Sequence, residues 1–136
     1  MTPGTGVEWM PVSMGSGRIA AIGGTAQRVP TPFVLDAAVG APAAANTPRI
    51  AIGAAQIPAS FPAQQLVTPK QVVYTSADGM KVHAQLFEPP AGGPTRKAAI
   101  VYVHGGPPRQ MLLGWHYGDY YWNAYAMNQY LANRGF

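Results

Sequence analysis

The chain has no cysteine. That excludes disulfide bridges and any thiolate nucleophile or thiolate metal ligand, and it assigns no compartment. Charge is sparse as well: 10% of the 136 residues are charged, 9 basic and 5 acidic. The basic residues Arg18, Arg28, Arg49, Lys70, Lys81, Arg96, Lys97, Arg109 and Arg134 are scattered along the chain. A nucleic-acid face gathers such residues on one element, so no nucleic-acid partner is expected and the net charge of +4 reads as a solvated surface. No apolar run approaches the ~18 residues of a membrane span. The opening Met1-Thr2-Pro3-Gly4 lacks a basic stretch followed by an apolar one, so no signal peptide is visible. His83, His104 and His116 show no metal-ligand spacing, so neither a metal site nor a cofactor is expected.

Glycine and proline are plentiful, at 16 and 14 residues, and weighted toward the first half. Irregular structure is therefore expected there, with the core concentrated in the second half. Two short strand candidates stand out, Gly17–Gly23 and Pro32–Asp36, each bounded by turn residues. They suggest a hairpin or part of a propeller blade. Residues 41–48 carry Pro42 and Pro48, too close together for a stable helix, and read as a loop. Pro58, Pro62 and Pro69 mark an extended connector. The expected organisation is a β-rich unit over residues 1–56, a linker over 57–70 and a second unit over 71–136.

The second unit is more regular. Gln71–Thr75 is rich in β-branched and aromatic residues, and Lys81–Phe87 alternates. Between them Ala77-Asp78-Gly79 supplies residues that tolerate positive φ, which predicts a hairpin. Lys97–Val103 is nearly all apolar, which predicts a strand buried on both faces within an α/β sheet. It runs into His104-Gly105-Gly106-Pro107. Asp119–Arg134 reads as a helix, with Asp119 as N-cap and Gly135 as the stop. Tyr120, Ala124, Met127 and Leu131 share one helical face and are expected to pack on the core.

Residues 66–136 resemble the entry into the catalytic domain of the prolyl oligopeptidase family of serine peptidases. The dipeptidyl-peptidase IV and acylaminoacyl-peptidase branches are closest in style. The resemblance is carried by Tyr74–His83, by Leu86-Phe87-Glu88-Pro89, by Val101–Pro107, by Gly114-Trp115-His116-Tyr117 and by Leu131–Phe136. More weakly, Trp9-Met10-Pro11 and Gly17-Arg18-Ile19-Ala20 are similar to a blade of the β-propeller that precedes this domain, with residues 12–16 lengthening the turn. The resemblance implies an α/β fold: the N-terminal portion of an α/β-hydrolase domain, preceded by β-propeller-like strands.

It also implies a chemistry. Such an enzyme cleaves short peptides with a serine, an acid and a histidine, and stabilises the oxyanion with donors set beside them. The oxyanion-hole loop would be His104, Gly105, Gly106 and Pro107, with a backbone N–H as donor and His104 holding the loop. The triad is expected after Phe136, so this chain is read as an inactive piece of a larger peptidase, one able to form a homo-oligomer. The chain holds no Gly-x-Ser-x-Gly; the nearest approach, Pro11-Val12-Ser13-Met14-Gly15, lacks the first glycine. Two alternatives stay open: a piece of a carboxylesterase or lipase with the same turn, and a non-catalytic β-rich remnant or binding module.

Overall fold

A computed structural model of the chain describes residues 6–37, 47–53, 56–106 and 111–136, the side chain of Asp119 excepted. The order is β1 (Val7–Gly15), β2 (Arg18–Gly24), β3 (Thr31–Asp36), β4 (Ile50–Ala51), a 3₁₀ turn at Ala63–Gln65, β5 (Lys70–Thr75), β6 (Lys81–Leu86) and α1 (Asp119–Asn133). The loop read at 41–48 lies largely outside the described residues.

β1 to β4 form an antiparallel meander in chain order. β1 and β2 turn at Ser16-Gly17, since Gly15 pairs with Arg18. Gly15, Ser16 and Gly17 all have positive φ (81°, 50° and 75°), a conformation in which glycine costs nothing. Residues 12–16 thus do not lengthen a turn: four of them belong to β1. Their irregularity is taken up as bulges. Between Trp9 and Val12 β1 advances three residues while β2 advances two, from Ile22 to Ala20. The extra residue falls at Met10-Pro11, where Met10 has φ 54° and Pro11 needs no ladder donor. Arg49 beside β4 reaches back to Glu8 of β1 at 2.8 Å.

The core is not confined to the second half. Phe33, Val34 and Leu35 of β3 are all buried, so this strand is covered on both faces. Each such side chain contributes roughly 1.5–3 kcal/mol. β5 and β6 form a separate two-stranded antiparallel sheet. Its turn is closed by Ser76 N–H on Met80 O (2.9 Å) and Gly79 N–H on Ser76 O (2.9 Å), with Gly79 at φ 88°. Asp78 accepts from the Ser76 hydroxyl and from Met80 N–H, and these bonds hold its carboxyl below the usual range.

The α/β-hydrolase expectation is overturned. The described residues are mostly β, in two antiparallel sheets, with a single helix near the C-terminus. The decisive segment is 97–103. It forms no strand, and Val101 and Val103 are 85% and 82% exposed. Burying an apolar strand on both faces requires strands beside it and layers above and below. Among the described residues nothing pairs with it. Instead it lies alongside α1 and is tied at both ends. Arg96 N–H bonds Gly135 O at 2.7 Å, and the Tyr121 hydroxyl bonds Gly105 O at 2.8 Å, so the two segments run antiparallel.

α1 starts at Asp119 with Gly118, not Asp119, in the N-cap position. It ends in a Schellman arrangement: Gly135 N–H bonds Ala132 O (2.9 Å), Phe136 N–H bonds Leu131 O (3.1 Å), and Gly135 has φ 90°. The expected inner stripe is displaced. Tyr120 is 71% exposed and Met127 43%, and the buried face is Tyr121, Ala124, Tyr125, Gln129 and Ala132. The reason lies in the polar tips. Tyr125 O–H donates to Ala26 O at 2.8 Å. Gln129 takes Val67 N–H on its oxygen (2.8 Å) and gives its amide to Val67 O (2.7 Å). These contacts join α1 to the loop after β2 and to the connector before β5.

Candidate functional site

The loop singled out by sequence begins where the 97–103 segment meets the first turn of α1. Tyr102 and His104, two residues apart, both face the helix, and Val101 and Val103 face away. Tyr102 lies beside Tyr120 and Tyr121; partial burial first, and then these two neighbours, hold its phenol above the usual range. The His104 ring meets Tyr121 edge-on, with centroids 6.5 Å apart.

One carbonyl organises the turn. Gly105 O accepts from the Tyr121 hydroxyl at 2.8 Å, and His104 Nδ1 lies 3.4 Å from the same oxygen. A carbonyl has two lone pairs and can serve both. No described peptide bond is cis. In a trans peptide the N–H points opposite to the C=O. Fixing Gly105 C=O toward α1 therefore turns the Gly106 N–H away from the helix. Gly106 has φ 80°, the left-handed region, which bends the chain at that point. Pro107 lies outside the described residues.

The other candidates are placed as follows. Ser13 lies in β1, exposed, and its hydroxyl oxygen accepts the nearby Gly15 N–H at 3.4 Å. Ser76 is the hairpin-turn residue described above. His83 is on exposed β6, 3.2 Å from Gln71. His116 is 1% exposed, stacked on Tyr117 at 4.3 Å. Its Nδ1 accepts the Gly118 N–H at 2.8 Å, which puts a ring proton on Nε2. Among the described residues no three His, Asp or Glu gather as a metal site. No helix among them is long and apolar enough to cross a membrane.

Tyr121 was not among the residues the sequence marked. A signal for it exists. Tyr121, Tyr125 and Gln129 recur at i, i+4 and i+8, each with an apolar body and a polar tip.

Comparison with protein-family models, with curated proteins and with solved structures finds no match for this chain.

Proposed function

We propose that residues 104–106 form the backbone-donor side of an oxyanion site in a serine-type peptidase that cleaves short peptides. Two things support the reading: the resemblance of residues 66–136 described above, and the orientation of one peptide unit. The observation that carries it is the Tyr121 clamp on Gly105 O at 2.8 Å, which directs the Gly106 N–H away from the helix. A donor fixed beforehand costs no reorganisation when charge develops on the substrate carbonyl oxygen. Such a donor is worth roughly 2.7–4 kcal/mol of transition-state stabilisation. His104 and Tyr121 are positioning residues in this scheme; they act through the glycine backbone. The serine, acid and histidine would follow Phe136, and the 136-residue chain alone turns over no substrate.

The test begins with the coding DNA downstream of Phe136. A serine-nucleophile motif such as Gly-x-Ser-x-Gly is expected within about 100 codons. In that longer enzyme, replacing the Gly106 N–H by an ester oxygen removes the donor without changing any side chain. The expected result is a fall in kcat of roughly 10²–10³-fold with little change in KM. A stop codon directly after Phe136, or an unaltered kcat in the ester variant, overturns the proposal.

A further inference from the structure

A cavity of about 330 Å³ opens between the loop after β2 and the connector before β5. It is lined by Gln27, Arg28, Val29, Ile57, Phe61 and Gln64, among others. The size falls at the lower end of small-molecule sites, roughly 300–1,000 Å³. Both walls are held in place. Gln27 Nε2 bonds Leu66 O at 2.7 Å and so ties the loop to the connector. Thr25 N–H closes the loop on Arg28 O at 3.0 Å. Phe61 is backed by Trp115, with ring centroids 6.4 Å apart.

Arg28 is the one charged residue among the described residues that line the cavity. Among the described side chains, Glu8, Asp36 and Glu88 pair with Arg49, Arg18 and Lys70. Asp78 is committed to the hairpin turn. The Arg28 side chain has neither an ion pair nor a hydrogen bond to any described residue. An arginine that no described carboxylate pairs therefore lines a cavity whose other walls include Val29, Ile57 and Phe61. A guanidinium offers a planar fork that fits a carboxylate in two-point fashion.

We infer that this cavity binds a small monocarboxylate with an apolar body, the carboxylate on Arg28 and the apolar part against Val29, Ile57 and Phe61. The same chemistry occurs in a free organic acid and at the C-terminus of a short peptide. The inference does not depend on the peptidase reading, since neither Gly106 nor Tyr121 takes part.

The test is an NMR titration of the ¹⁵N-labelled chain with 4-phenylbutyrate, with acetyl-glycyl-phenylalanine and with the carboxamide of each. Saturable shifts confined to Gln27–Val29 and Ile57–Gln64 are expected for at least one acid, and the acid that binds identifies the source. Both carboxamides and the Arg28→Gln variant should bind about ten-fold more weakly or worse, as for loss of a charge-assisted bond. Arg28 is exposed, so this substitution leaves the core intact. Equal affinity of acid and carboxamide for the unaltered chain overturns the inference, as does the absence of saturable shifts with either acid.

Discussion

Tyr125 is the residue on which most of the packing converges. It is 2% exposed, its ring meets Trp115 at 4.8 Å and Phe87 at 5.5 Å, and its hydroxyl both donates to Ala26 O and accepts from Gln129 Nε2 (3.0 Å). Burial pushes its phenol up to about 12, partly offset by the Gln129 bond. The sign of the consequence is fixed. A phenol raised in the folded state favours the protonated form. Its contribution to stability is complete below the ordinary value of 10.0 and is lost as pH rises from there toward about 12. An absorbance titration near 295 nm should include a late tyrosine ionisation coincident with loss of the folded signal. Tyr125→Phe removes this step and leaves Ala26 O without its donor. A cost of about 1–3 kcal/mol in denaturant unfolding is expected. A variant as stable as the parent would show that the hydroxyl contributes nothing to the packing.

At the scale of elements, the turns were the most legible. Gly79 marked the β5–β6 hairpin because the turn needs a left-handed residue there, φ 88°, and Gly135 marked the end of α1 for the same reason. Gly135 carries a further constraint. A Cβ there would lie 2.5 Å from Pro94 O, at φ 90°. Gly135→Ala should therefore cost more than the ~1–2 kcal/mol of a left-handed alanine and lower the thermal midpoint measurably. An unchanged midpoint would mean that residues 94–96 shift freely. Other elements were hidden for physical reasons. β1 was obscured because Pro11 and two bulges break its alternation. The inner face of α1 was misplaced because Tyr120, Tyr121, Tyr125 and Tyr130 surround the helix, and hydropathy alone does not rank tyrosines. The candidate site was half legible. His104-Gly105-Gly106 is a local signal, whereas the Tyr121 that orients it is supplied from 16 residues away. The strand read at 97–103 went wrong because apolar content reports a capacity for burial, and burial also needs neighbours.

At the scale of the whole molecule, that run holds the most exposed large apolar side chains among the described residues. Ile100, Val101 and Val103 are 51%, 85% and 82% exposed, and residues 98–103 contain no charge, proline or glycine. Segments of this composition, with free backbone groups, pair with copies of themselves. Sedimentation velocity should show concentration-dependent association of the unaltered chain, reduced by Val101→Lys with Val103→Lys. A parent that stays monomeric at high concentration would show that the segment is shielded in solution. Long-range hydrogen bonds join the parts of the molecule, and the pair between Gln129 and Val67 is one of them. Its two partners are 62 residues apart, yet the pairing copies the donor–acceptor exchange of two neighbouring strands. The Val67 amide hydrogen, in the connector, is thus held by a side chain on the helix and not by a strand. Its exchange with solvent requires that bond to open, so the protection of this single amide reports how firmly the connector is held to the helix.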